Sequence, residues 1–250
     1  MNTDSLYQKY YYSKAEFVDG TTQFHRLCAM YVRPGAKILE IGSGPSNATS
    51  KFLAALGTVV GADISEEVRH NPYLMEARVY DGHRLPFATG SFDACVADYV
   101  IEHITTPEQH FSEVSRVLRP GGVYCFRTPN LWHYVTAASK ITPYWLHLRL
   151  ANRLRCLTTA AHDPHPTVYE ANTRGRIRQL VKAAGLSVTA LHTIEKEPSY
   201  GRASKIIFYP MMSYERIVNS SSALRGIRAN ILGVVQSTPS KTAVGSPTAI

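Results

Sequence analysis

The sequence predicts an α/β protein built on a mostly parallel sheet, and three observations carry that expectation. Short apolar runs alternate with amphipathic helical stretches between residues 36 and 130, the spacing of successive βαβ units. Four of those runs end in or beside an acid, namely Glu40, Asp63, Asp81 and Asp98. A tight glycine turn, Gly42-Ser43-Gly44, separates the first run from the first helix. Strand, glycine turn and helix together form the local geometry that holds a nucleotide-like ligand against a helix N-terminus.

The elements follow in order. Residues 4 to 33 read as helical, with Leu6, Tyr7, Tyr10 and Tyr11 recurring at helical spacing, then Phe17, Phe24, Leu27 and Met30, until Pro34-Gly35 stops the pattern. The tyrosines suit either a lid over a ligand or ordinary packing of amphipathic rings. Lys37 to Ile41 is the first strand, and the helix after the turn runs from Asn47 to Leu56, ended by Gly57. Thr58 to Ala62 is a strand leading into Asp63, and Ser65 with Glu66 and Glu67 opens a helix. Ala77 to Tyr80 and Phe92 to Tyr99 are the third and fourth strands. Pro107 opens a helix through Leu118, and Val123 to Arg127 is the fifth strand. Right-handed crossovers would set the strand-end acids on one rim, where such sheets bind ligands.

Residues 131 to 171 break the alternation and are too long for an ordinary connection. They hold Trp132, His133, Tyr134, Tyr144, Trp145 and the run His162-Asp163-Pro164-His165, and they read as a partly helical cap. Thr173 to Ala184 is a helix. Leu186 to Ile194 and Ser204 to Tyr209 suit an antiparallel pair at one sheet edge, followed by a helix over Met212 to Val235. Gln236 to Ile250 is rich in Ser, Thr, Pro and Gly and is expected to be disordered. The domain organisation is then a helical lid over 1–35, a ligand-binding domain over 36–209 with the cap 131–171 inserted, a C-terminal helix over 210–235 and a tail over 236–250.

Composition narrows the class. No apolar run approaches the ~18 residues of a membrane span, and Met1-Asn2-Thr3-Asp4 has neither the basic nor the apolar region of a signal peptide. The four cysteines show no CxxC pairing, which points to buried thiols in a reducing cytoplasm. The net charge of +8 includes no block of five or six like charges, so solvated basic faces account for it better than an acidic partner. No metal site is expected, because Pro164 stiffens the one histidine pair of suitable spacing.

The glycine turn alone does not name the ligand. The third glycine of a dinucleotide fingerprint is absent, with Asn47 in its place, and Glu40 beside the turn would repel a pyrophosphate. An acid there suits a ligand with a positive end, such as an ammonium or a sulfonium.

Here the sequence resembles the class I S-adenosylmethionine-dependent methyltransferases of the bacterial small-molecule type. The resemblance rests on Glu40-Ile41-Gly42-Ser43-Gly44, Asp63, Asp81-Gly82 through Leu85-Pro86-Phe87, Ser91-Phe92-Asp93, Glu102-His103, Arg116-Val117-Leu118-Arg119-Pro120-Gly121-Gly122 and Thr128-Pro129-Asn130. Ser46 departs from the family, where many members carry a third glycine. The resemblance implies a Rossmann-like, mostly parallel seven-stranded sheet with an antiparallel edge strand, N-terminal helices and a helical cap inserted after the fifth strand. It implies S-adenosyl-L-methionine as cofactor. Gly42, Ser43 and Gly44 would lie along the methionine and ribose portions and Glu40 would hold the amino group. Asp63, with Ile64 beside it, would take the ribose hydroxyls, and Asp81-Gly82 would take the adenine. Asp98-Tyr99 would close over the methionine end.

The resemblance implies methyl transfer to O, N or C of a small molecule of aromatic, glycan or natural-product type. The candidate bases are His103 and His133, with His162 and His165 in the cap, and Tyr11 is the candidate gate. Two rival readings stay open. A nucleic-acid methyltransferase is disfavoured because Asn71-Pro72-Tyr73 follows the second strand rather than the fourth. A non-catalytic cofactor-binding subunit would be expected to have lost the strand-end acids. A membrane surface, met by Arg216, Arg225 and Arg228, and a second copy of the chain are the remaining candidate partners.

Overall fold

The computed structural model describes residues 3–141, 166–198, 201–202 and 204–238. The calls on Tyr144, Trp145, the His162 to His165 run and the tail beyond Thr238 lie outside those residues. Seven strands form one sheet: β1 (Ala36–Ile41), β2 (Gly57–Asp63), β3 (Glu76–Val79), β4 (Phe92–Asp98), β5 (Leu118–Pro129), β6 (Leu186–Ile194) and β7 (Asn230–Ser237). Their order is β3-β2-β1-β4-β5-β7-β6. The first five pair in parallel, and β7 runs antiparallel to both β5 and β6.

Side-chain alternation along each strand builds two cores. Leu39, Ile41, Cys95, Ala97, Tyr124 and Phe126 point to one face. Ala36, Ile38, Ala94, Val96, Val123 and Cys125, one residue out of step, point to the other. Period-2 geometry sends neighbours to opposite faces, and both faces must be apolar when helices cover both. On the first face pack α4 (Pro107–Val117) and α6 (Arg174–Ala183), through Phe111, Val114, Ile177 and Leu180. On the second pack α2 (Gly20–Tyr31) and α3 (Ala48–Leu56), through Phe24, Cys28 and Leu53. Each of the helices α2, α3 and α6 starts at a side-chain cap, respectively Asp19, Asn47 and Thr173.

The C-terminal part departs from the expectation in its assignment of elements. Ser204 to Tyr209 is not a strand: Ser204 caps α7 (Lys205–Ser220), accepting from the Ile206 N–H. Phe208 is drawn into a cluster with Leu6, Tyr7 and Tyr11. The expected helix over Met212 to Val235 ends at Ser220, and its last quarter becomes part of β7. The run Ile231, Leu232, Gly233, Val234, Val235 fits either period. Pairing decides it, because Gly233 lies opposite Phe126 and a Cβ there would meet the Phe126 ring at 2.1 Å. The sheet is therefore completed by residues beyond the expected domain boundary at 209. The cap begins with α5 (Tyr134–Ile141). The N-terminal α1 (Thr3–Tyr7) and the turn of π-helix over Gln8–Tyr12 pack on α7.

Candidate active site

The reversal of strand order falls between β1 and β4, and the carboxyl ends of the strands on either side of it open into a cavity of about 740 Å³. Its wall takes Gly42, Gly44, Asp63, Ile64, Asp81, Gly82, Tyr99 and His103 from the residues singled out in the sequence. Tyr80, Val100, Thr106, Pro166 and Val168 are among the residues that sequence reasoning did not name. Crevices at this place in open α/β sheets are where ligands bind.

The glycine turn is held by a small polar lattice. Gly42 has φ +72° and Gly44 φ +56°, conformations that L side chains rarely adopt. Gly42 N–H donates to the Ala62 carbonyl at 2.7 Å. Asp63 ties the turn to the end of β2, its Oδ2 accepting from Gly44 N–H and its Oδ1 from Ser65 N–H, both at 2.9 Å. Asn47 donates to the Ser43 carbonyl at 2.7 Å while accepting from Ser50 N–H. Asn71 donates to the carbonyls of Ser43 and Gly44, both at 3.2 Å. The Asn71-Pro72-Tyr73 segment thus braces the turn.

Three of the residues expected at the cofactor lie off the wall. Glu40 is buried behind the turn, accepting from Ser50 Oγ at 2.7 Å and from Asn47 Nδ2 at 3.4 Å. Burial pushes its carboxyl up to about 7 against those two bonds. Ser43 is fully buried, with its hydroxyl unpartnered. Asp98 is bound by Arg127, whose Nε and Nη2 donate to its two oxygens at 2.6 and 2.7 Å, and by Thr49 Oγ1 at 2.7 Å. Such a bidentate pair leaves Asp98 as a brace at the end of β4.

Tyr99 follows with φ +58°, an uncommon conformation for an aromatic residue. Its hydroxyl meets Asn230 Oδ1 at 3.0 Å, and the Arg127 guanidinium lies 4.5 Å from its ring centre. This turn puts Tyr99 on the walls of two cavities at once. The second, of about 220 Å³, is lined by Asp19, Thr21, Arg127, His133, Tyr134, Glu195, Lys196, Glu197 and Asn230 among others. No sequence period could have grouped these residues, since β7 and the α2 entry loop bring them together.

The three catalytic candidates separate. His103 Nδ1 lies 3.1 Å from the Pro166 carbonyl on the larger cavity. A carbonyl only accepts, so this nitrogen carries the proton. His133 is 7% exposed, lines the smaller cavity and sits 3.6 Å from Glu195 Oε2. Burial lowers it to about 4. Tyr11 is on neither wall; it is buried beside Tyr7 and Phe208 and donates to Glu215 Oε2 at 3.1 Å.

The larger wall has a clear electrostatic character. Asp63, Glu67 and Asp81 face it, and among the described lining residues there is no lysine or arginine. The backbone N–H groups of Arg84 and His83 hold the Asp81 carboxyl below the usual range. Such a wall favours a cationic ligand. Gly44 has open space where a Cβ would stand, which lets a ligand approach its backbone closely.

Comparison with known proteins agrees with this geometry. Residues 39–126 match the model of the methyltransferase domain. The chain is 34% identical over 111 residues to a demethylmenaquinone methyltransferase of Beutenbergia cavernae, a match covering 41% of this chain and 46% of the relative. It is 26% identical over 223 residues to one of Mycobacterium sp., covering 78% of this chain and 92% of that one. The match spans less than half the length of several curated relatives. Among solved structures, the geranyl diphosphate C-methyltransferase of Streptomyces coelicolor shares the fold, with a TM-score of 0.55, 16% identity and coverage of 87% of this chain and 78% of that one. The methyltransferase-domain match over residues 39–126, the sheet order and the glycine turn at the switch point together support a class I S-adenosylmethionine-dependent methyltransferase.

Proposed function

We propose that this protein transfers a methyl group from S-adenosylmethionine to a small molecule. One observation carries the reading: Gly42, Gly44, Asp63, Asp81 and Gly82 converge on one cavity whose described wall holds acids and no lysine or arginine. When bound, the cofactor supplies an electrophilic methyl group on a sulfonium. The chain's own residues do the rest. Gly42 and Gly44 let backbone approach the ligand. Asp63, whose two oxygens each hold one backbone N–H, retains a second lone pair on each for vicinal hydroxyls. Asp81, at the next strand end with Ile64 and Gly82 beside it, receives an adenine amino group. Glu40, Ser43 and Asp98 keep the turn and the end of β4 in place from behind. Tyr99 and Val100 close the side toward the acceptor. Alignment of this kind can supply about 7–11 kcal/mol of rate enhancement at the upper end.

A small acceptor is supported by the size of the second cavity and by relatives named as demethylmenaquinone methyltransferases. The N-terminal helical segment, expected as a lid, contributes Asp19, Gly20 and Thr21 to that cavity and is read as its floor. Calorimetric titration with S-adenosylhomocysteine tests the cofactor site. Asp63→Asn should weaken binding about tenfold or more, the cost of one charge-assisted hydrogen bond. Unchanged affinity in that variant would refute the assignment.

A further inference from the structure

We propose that the smaller cavity, walled by Asp19, Glu195, Glu197, His133, Tyr99 and Tyr134, is the acceptor pocket and takes a protonated amine, so that the methyl group ends on nitrogen. The inference rests on the reading of the larger cavity as the cofactor site. Tyr99 is shared by both walls, so the two cavities meet at this side chain.

The charge of the pocket runs against that of the chain. The sequence carries a net charge of +8, yet three acidic side chains, Asp19, Glu195 and Glu197, line this cavity. Of the two cations on the described wall, Arg127 is spent on Asp98 through two hydrogen bonds, which leaves Lys196 alone against the three.

Two buried atoms also lack partners. His133 Nε2 is 3.6 Å from Glu195 Oε2, beyond hydrogen-bond reach, and Glu197 Oε2 has no donor. Glu197 Oε2 is an acceptor in want of a donor, and an ammonium group brings three N–H donors. The rings of Tyr99 and Tyr134 are each partly open to solvent, and aromatic faces attract cations. Acidic side chains, an unpartnered acceptor and aromatic faces around one volume of about 220 Å³ suit a compact organic cation.

The same groups can take the proton that an ammonium must lose before it attacks. Burial pushes Glu195 up to about 8 and raises Glu197, while His133 stays neutral. Around this pair stand Glu215, Arg228, Tyr214 and Tyr134, besides Lys196 and Glu197. Glu215 raises Glu195 further and Arg228 opposes it. An ammonium seated beside Glu195 stabilises its charged form, so the carboxyl proton passes to solvent as the amine binds, and the amine then gives one proton to the Glu195 carboxylate. Its lone pair then forms the N–C bond to the methyl carbon, and the C–S electron pair leaves with sulfur as a neutral thioether. The product is an N-methylammonium, and the positive charge passes from sulfur to nitrogen.

The test uses benzylamine, benzyl alcohol and benzoate as probes, each titrated calorimetrically into the full chain with S-adenosylhomocysteine present. Benzylamine should bind saturably and more tightly than the other two. Its Kd should rise about tenfold in Glu197→Gln and in Glu195→Gln. Glutamine at 195 still offers an oxygen to the Ala229 N–H, which the native side chain accepts at 2.8 Å, so the fold is retained. S-adenosylhomocysteine affinity should change less than twofold in both variants. Benzoate or benzyl alcohol binding as tightly as benzylamine overturns the proposal, as does an amine affinity indifferent to both substitutions. Failure of S-adenosylhomocysteine to bind the unmodified chain instead overturns the cofactor assignment on which it rests.

Discussion

Replacing Gly42 by alanine tests the geometry of the glycine turn directly. The residue sits at φ +72°, and an added Cβ would meet Val100 Cγ2 at 2.3 Å. The left-handed conformation costs an alanine about 1–2 kcal/mol. The clash adds an overpacking cost of about 1–3 kcal/mol, for a total of about 2–5 kcal/mol. Gly44 provides the internal control. Its φ is +56°, but nothing stands within 4 Å of the added Cβ, so Gly44→Ala should carry only the backbone cost. Val100→Ala removes the colliding Cγ2 methyl, so in the Gly42→Ala background it should recover part of the loss. The double-mutant cycle would then show a coupling of about 1–2 kcal/mol. Urea unfolding followed by circular dichroism reads all four proteins, and a parallel titration with S-adenosylhomocysteine reads the wall. If Gly42→Ala costs no more than Gly44→Ala, or if the cycle shows no coupling, the turn is not packed as described.

Two further outcomes follow from buried charge. Asp98→Ala leaves Arg127 buried without its partner, and breaking such a pair should cost about 3–5 kcal/mol in chemical denaturation; Asp98→Ala combined with Arg127→Met should cost measurably less than the single change, and an equal loss would refute the pairing as the cause. Glu102 is 3% exposed, accepts from Thr128 Oγ1 at 3.0 Å, and is raised by burial from 4.5 to about 8. The folded state therefore holds a proton that the unfolded chain releases above about 4.5, so stability falls as pH rises from there to about 8. Glu102→Gln removes this titration. The wild type should lose about 1–3 kcal/mol more than the variant between pH 5 and pH 8.5 in paired urea titrations, and equal losses would remove Glu102 as the source.

The two cavities divide the work along the charge of the chain. The excess of basic residues lies elsewhere, while carboxylates gather at the strand ends and at the segment after β6. Tyr99 lies on both walls, and the Asp98–Arg127 pair sits beside it. The pair fixes the end of β4 and the Arg127 side chain at once, so Tyr99 is held between the two walls. Among the described residues, no helix is long and apolar enough to cross a membrane.

The parallel half of the sheet, its two-sided core and the glycine turn after β1 were legible from residue order alone. Strands β1, β2, β4 and β5 carry apolar runs buried on both faces, and Gly42, Asp63 and Asp81 sit at fixed places relative to the strands. Local pattern determines such features because each element's burial is dictated by its own period. Tertiary structure decided what local pattern leaves degenerate. Residues 204–209 and 230–237 are both apolar and β-branched enough for either element. The first became helix because Ser204 caps it and Phe208 packs on Tyr7; the second became strand because Gly233 makes room for Phe126 between β5 and β6. The smaller cavity exists only through that insertion. Asp19, Tyr99, His133, Glu195 and Asn230 are far apart along the chain, and only long-range pairing, which no local period encodes, brings their side chains to one volume.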